Sequence, residues 1–571
     1  RGFWIMMPHL LKVFYTYIGI EIGFYFVYWR YWLPAANEPT EPAAYRDYPH
    51  PRDRIILLNR ILQRLKRSVE NAGEKHFGRV LEEYTRTFFF NPNVNGGGVD
   101  DLSDLKRVLD EDEPDDPDDE HKIFPYRKSI TNQFIAWAFF AKDSNDDTNM
   151  TALEYEELDK MHTAFFDFGN IRVLDDETGD CKNNDEVHVQ AKRLNLEPLT
   201  CWHRPLAVYV YTALLQVLVG WTVLYYTGFR RYHCRRGLTY WHRPARIKPK
   251  QHKLPLLFFH GIAPAGVTLY LPMILRVFGS GDDRPLFLFE NPTISNTPRL
   301  DMKRVVSEED TLHGVQEAID THLGTHETRD LCVAGHSFGS CLITWLLHHP
   351  NISHRIRHVI LLDPVSILLS EPDVITNFLY VNRYDGESSL QRTIIQTVAS
   401  SELFLQQYLR RHFAWYNSEL WLEDLILPKS DNGTNQNGEA NEDIPKHNQN
   451  HHPVPKRSRK VFICISEDDK IANAQKIETQ VNICRDLFET SNCTSGTNLQ
   501  FVNFKNANHG DCVWNKGGKH WETIQSCIRE QENEIASENA RFCGSDTNVD
   551  SVDARHTQSP KGFNRDNKKI M

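Results

Sequence analysis

Positive charge is in deficit here: 65 Lys and Arg stand against 76 Asp and Glu over 571 residues, a net charge of −11. Without a basic excess the chain has no electrostatic footprint for a nucleic acid. Zinc-like cysteine spacing is missing too. The 11 cysteines are scattered without C-x-x-C, and their odd number gives no disulfide framework. Cys332 and Cys341 fall in apolar runs, where small buried thiols are common. Residues 100–120 carry twelve Asp or Glu but no D-x-D-x-D-G spacing, which argues against a calcium loop. Such a block repels itself and reads as a solvated, disordered segment. No metal or cofactor motif is present, since His447, His451 and His452 lie in an Asn-, Gly- and His-rich tract at 429–459 that reads as a disordered loop. Sequons at Asn149, Asn351, Asn432 and Asn492 do not decide the compartment.

One further absence is local. Residues 206–229 hold no charge over 24 positions, and a helix of that length rises about 36 Å, enough to cross a hydrocarbon core of about 30 Å. Arg204 precedes the run, Arg230 and Arg231 come after it, and Tyr and Trp sit near its ends. It reads as a transmembrane helix or, in a second reading, as a helix on the membrane surface or buried under the C-terminal half of the chain. The apolar segment 1–33 is a possible signal anchor or second span, although Lys12 and the central Glu21 oppose it. The basic linker at 230–252, with Arg235, Arg236, Arg243 and Lys248, places the region C-terminal to residue 229 in the cytoplasm.

At this length the chain should hold roughly three to four domain-sized units. Residues 34–205 form an N-terminal region whose aromatic runs, Phe134–Phe140 and Phe165–Phe168, should pack onto something, the C-terminal half among the candidates. From Lys253 short apolar runs alternate with helical stretches: Leu254–Phe259, Pro285–Phe289, Leu331–Ala334, Val359–Leu362, Val461–Ile465 and Leu499–Phe504. This alternation predicts a mostly parallel, doubly wound α/β sheet. The third run leads straight into Gly335-His336-Ser337-Phe338-Gly339, and an apolar helix-length stretch comes next. Strand, G-x-S-x-G, helix is the context of a nucleophile elbow, with Ser337 at its apex.

On these motifs, residues 253–530 resemble the α/β-hydrolase superfamily, about half of the chain. The N-terminal half bears a weaker likeness to the membrane-associated region of some long eukaryotic members. The resemblance implies a Ser–acid–His order. His509, in the loop after the last strand-like run, takes the base position. Asp469, after the penultimate strand, takes the acid position. Asp363, in Leu361-Leu362-Asp363-Pro364, is the alternative acid, and Asp468 is one register away. Backbone N–H groups of Phe338 and Ile262 would form the oxyanion hole, with His260 and Gly261 close to the substrate. An insertion at 366–428 would make a helical cap, and 531–571 a polar tail. The expected activity is a membrane-associated serine hydrolase of acyl esters, a lipid being the favoured substrate. A thioesterase, amidase or acyltransferase on the same triad, or a non-catalytic membrane scaffold, are the rivals.

Overall fold

The computed structural model describes residues 2–38, 51–73, 77–90, 123–145, 150–174, 190–246, 253–281, 283–296, 305–324, 330–380, 396–426, 459–490 and 498–545. The acidic stretch 100–120, the three histidines of the 429–459 loop and the tail beyond 545 lie outside them.

Eight strands build one sheet: β1 (Arg230–His233), β2 (Thr239–Arg243), β3 (Leu256–Phe259), β4 (Leu286–Glu290), β5 (Leu331–His336), β6 (Ile356–Leu362), β7 (Lys460–Ser466) and β8 (Asn498–Phe504). Their spatial order is β8-β7-β6-β5-β3-β4-β2-β1. From β4 to β8 every pairing is parallel. β1 and β2 pair antiparallel, and β2 closes antiparallel onto β4. The six expected strands are therefore present. The difference lies at the edge, where the stretch read as a basic linker contributes β1 and β2. The sheet thus begins at Arg230 rather than 253.

Strands β3 to β7 carry apolar runs because both of their faces are covered. In β3, Leu257 and Phe259 enter one core and Leu256 and Phe258 the other. The helices, in chain order, are α1 (Gly2–Val27), α2 (Pro51–Asn71), α3 (Phe77–Arg86), α4 (Lys128–Phe140), α5 (Ala152–Phe168), α6 (Leu206–Tyr226, with a π-helical turn inside it), α7 (Glu308–Leu323), α8 (Gly339–His348), α9 (Leu403–Arg411), α10 (Ala474–Thr490) and α11 (His520–Ser545). α7, α8 and α10 cover the first core, and α11 covers the second. α11 runs past the expected domain end at 530. Its Ile535 is buried against the sheet, Gln531 bonds His358 at 2.8 Å, and Glu532 receives Lys253 at 2.6 Å. The expected polar tail therefore begins as part of the domain.

The N-terminal region has a third core, which gathers Leu58 and Ile61 of α2, Phe134 of α4 and Phe165 of α5 and takes in Trp421 from the 366–428 insertion. It is clamped to that insertion by buried charge. Arg64 of α2 pairs with Glu419 and donates to Ser370 at 2.6 Å, and Tyr84 of α3 donates to the Ser370 carbonyl at 2.7 Å. Arg411, at the end of α9, donates to the carbonyls of Asn195 and Glu197 at 2.8 and 2.7 Å. Breaking a buried ion pair by removing one partner leaves an uncompensated charge and typically costs about 3–5 kcal/mol. The two halves are held together.

Among the described residues, α6 is the one helix long and apolar enough to cross a membrane. One of its faces lies along the α/β sheet and the 366–428 insertion: Tyr209 donates to Glu402 at 2.9 Å, Gln216 donates to Glu290 at 3.2 Å, and Leu224 is buried in the second core. Val210, Leu214, Leu218 and Tyr225 face outward. Glu21 of α1, the residue that opposed a span, accepts the Leu206 N–H with both oxygens at 3.0 Å. That places a carboxylate at a helix N-terminus, where it is favoured.

Candidate active site

β5 delivers Ser337 and α8 carries the chain away. The turn between them is tight enough to force a positive φ of 52° on Ser337, an uncommon value for a residue with a side chain. The flanking glycines answer that crowding. A Cβ on Gly335 would come within 2.8 Å of the Gly339 carbonyl oxygen and of Ile343 Cδ1, and one on Gly339 would overlap the Phe259 carbonyl. Only hydrogen fits at either position.

The Ser337 hydroxyl lies 2.9 Å from His509 Nε2, and His509 Nδ1 lies 2.7 Å from Asp469 Oδ2. His509 stands in the loop after β8, and Asp469 in the turn after β7. The other oxygen of Asp469 accepts the N–H groups of Ile471 and Ala472 at 2.7 and 3.0 Å, which fixes the carboxylate. Asp468 points to solvent. With Asp469 accepting from Nδ1–H, Nε2 is left as the acceptor for the hydroxyl proton. Burial disfavours the imidazolium of His509, but Asp469, with Asp363 behind it, outweighs burial and lifts the group to about 9.

Asp363, the alternative acid, is not the Nδ1 partner. It accepts the Ser466 N–H at 2.7 Å and the Gly510 N–H at 2.8 Å, tying the end of β6 to β7 and to the histidine loop. Burial alone would raise its carboxyl. The facing imidazoles of His336 and His509 and the Gly510 N–H outweigh that and hold it down at about 2. Asp363 is thus a second ionised carboxylate behind the imidazole, bonded to the residue after the histidine.

Ile262 and Phe338 line the same cavity as Ser337 and His509, so the two residues expected to supply N–H donors sit at one site. Gly261 is brought close to Ser337 as well, and it enters a relay that the sequence did not disclose. The Gly261 N–H donates to Tyr270 Oη at 3.0 Å, and Tyr270 Oη meets His336 Nδ1 at 3.0 Å. His260 accepts the Asn291 N–H at Nε2 (3.3 Å), and burial pushes its imidazole down to about 4. Gly261 must be glycine, because a Cβ there would stand 2.8 Å from Ser337 Cβ. No local pattern marks Tyr270 or His336 for this relay, since it joins three separate elements.

The cavity above Ser337 has a volume of about 160 Å3 and an apolar wall. The insertion supplies much of that wall, including Phe378, Leu409 and Phe413, with Val365 just before it. Trp137 and Leu194 come from the N-terminal region. The aromatic run of α4 therefore does pack at the site.

No protein-family model matches the chain, and no curated protein matches it. Among solved structures it is similar to a membrane phospholipase A described as a bacterial virulence factor, at 12% identity, with 57% of this chain and 94% of that one covered and a TM-score of 0.33. It is also similar to a putative aryl esterase from Burkholderia cenocepacia (11%, 53% and 98%, TM-score 0.32) and to the esterase LipW from Mycobacterium marinum (14%, 58% and 90%, TM-score 0.35). Likeness this distant decides neither reaction nor substrate. The strand order, the crossover from β4 past β3 to β5 and the strained serine turn are the chain's own, and they make it an α/β-hydrolase fold.

Proposed function

We propose that this protein is a serine hydrolase of acyl esters. The observation that carries the reading is the unbroken hydrogen-bond line Ser337–His509–Asp469 at the floor of an apolar cavity. His509 Nε2 takes the hydroxyl proton as Ser337 Oγ attacks the ester carbonyl carbon. The oxyanion that develops is received by the N–H groups of Phe338 and Ile262, a contribution typically of a few kcal/mol. Collapse expels the alcohol, which receives the proton from His509. Water, deprotonated by the same imidazole, then releases the acid from the acyl-enzyme. A wall that offers an acyl chain almost no polar group favours a lipid ester.

The site works beside a membrane in this reading. The outward faces of α1 and α6 expose Phe14, Ile22, Phe26, Leu218 and Tyr226 among others. Because α6 rests on the hydrolase fold from Tyr209 to Leu224, about 22 Å of helix, the packing favours a helix lying in the interface plane over one crossing it. Retention through carbonate extraction would argue instead for a span. The catalytic reading is tested by a fluorophosphonate probe, which should label the wild type and leave Ser337→Ala unlabelled. Equal labelling of the two would end it.

A further inference from the structure

We infer that the cavity above Ser337 continues into the N-terminal region, and that this extension receives the methyl end of a long acyl chain. The inference rests on the ester-hydrolase reading of the same site.

A second cavity lies inside the third core, against α2, α3, α4 and α5. It shares four wall residues with the first: Trp137, Leu369, Ile375 and Trp415. Two of these are indoles, one from each half of the protein. Trp415 Nε1 donates to the Ala138 carbonyl at 3.2 Å, which holds its ring across the junction. Movement of a ring of this kind would join the two spaces into one channel that starts at the nucleophile and ends among Leu58, Ile61 and Phe165.

The chemistry of the far end is set by what its polar side chains already do. Tyr84 donates to the Ser370 carbonyl, and Ser370 Oγ sits between Arg64 and Glu419. With those atoms engaged by protein partners, the wall presents aliphatic and aromatic carbon. No ionisable side chain other than the bonded Tyr84 lines this second cavity among the described residues. A methylene chain gains from burial there. A terminal carboxylate would lose its water and find no counter-charge, which is the expensive outcome. The site therefore selects methyl-ended chains long enough to pass Trp137 and Trp415. The N-terminal region, which supplies none of Ser337, His509 and Asp469, becomes the part of the protein that measures chain length.

The test compares kcat/KM for p-nitrophenyl butyrate and p-nitrophenyl palmitate. In Ala138→Phe and Ile61→Trp, which fill the far cavity from two walls, the palmitate-to-butyrate ratio should fall tenfold or more. Each methylene denied burial is worth roughly fourfold, so two suffice. A second comparison uses the wild type alone and cannot fail through misfolding: the palmitate ester against the same ester bearing a terminal carboxylate. The palmitate ester should be favoured at least tenfold. A ratio unmoved in both variants, or equal turnover of the two chain ends, overturns the extension. Absence of Ser337-dependent hydrolysis of every ester, butyrate included, would instead overturn the ester-hydrolase reading beneath it.

Discussion

Replacing Asp469 by Asn removes one negative charge 2.7 Å from His509 Nδ1 while keeping the side-chain shape. In the wild type the imidazole stands at about 9 rather than the ordinary 6.5. At about 1.4 kcal/mol per tenfold, that difference is about 3 kcal/mol of preference for the imidazolium, the state His509 must reach as Ser337 attacks. The amide forfeits most of this and favours the wrong tautomer, so the loss in kcat for Asp469→Asn should lie between roughly 10² and 10⁴. Asp363, ionised behind the same ring, keeps it from falling further. The assay is kcat/KM against pH on a soluble ester. The base must be neutral to accept the hydroxyl proton, so the wild-type rate should climb with pH up to about 9, and the limb in the variant should move down toward the ordinary imidazole value. The same ion pair stabilises the fold fully below the unfolded imidazole pKa, and that contribution is lost as pH rises through about 9. A variant within threefold of wild type with an unmoved limb would refute this assignment of the acid.

Two other substitutions probe the frame around the serine. Gly339→Ala places a methyl against the Phe259 carbonyl. Overpacking against backbone costs about 1–3 kcal/mol, so Tm should fall by several degrees and probe labelling of Ser337 should drop; an unchanged Tm would mean that the elbow relaxes without strain. Asp363 predicts an acid-labile fold. Its carboxyl is held at about 2 against an ordinary 3.8, so it contributes about 2 kcal/mol above the unfolded value, lost as pH falls through that window. Urea midpoints should decline between about pH 4 and pH 2 more steeply in the wild type than in Asp363→Asn, and parallel profiles would remove Asp363 from the account.

The legibility of each element in the sequence tracks its physics. Strands β3 to β7 are legible because burial on both faces gives them apolar runs, as in Leu256–Phe259 and Val461–Ile465, while β8 at the sheet edge keeps half-buried Gln500 and Asn503 among its apolar residues. The edge hairpin is not legible. Arg230–His233 and Thr239–Arg243 mix charge and aromatic rings because one flank meets solvent, and β2 buries Arg243 against the Gly279 carbonyl. The three residues of the Ser337–His509–Asp469 hydrogen-bond line could be picked out because a strained turn, an acidic turn and a final loop each leave a local trace in chain order. The relay through Tyr270 and His336 leaves none. Nor does the contribution of Trp137, whose aromatic neighbours announced packing but not its partner.

The carboxylate of Glu21 illustrates how a local penalty becomes a long-range device. Along its own helix it interrupts an apolar run. In the fold it closes the N-terminus of α6, and three residues further on Tyr209 reaches Glu402, whose other oxygen accepts the Leu405 N–H at 2.8 Å and so caps α9. α9 then turns Leu403 and Phe404 toward α1 and α6, while Tyr408 meets the ring of Phe338, the residue after the serine, at 5.8 Å between centroids. One chain of contacts thus runs from the two apolar helices to Phe338, the residue after Ser337. A helix pair that rests on lipid would, by this path, bear on a cap helix that touches the site.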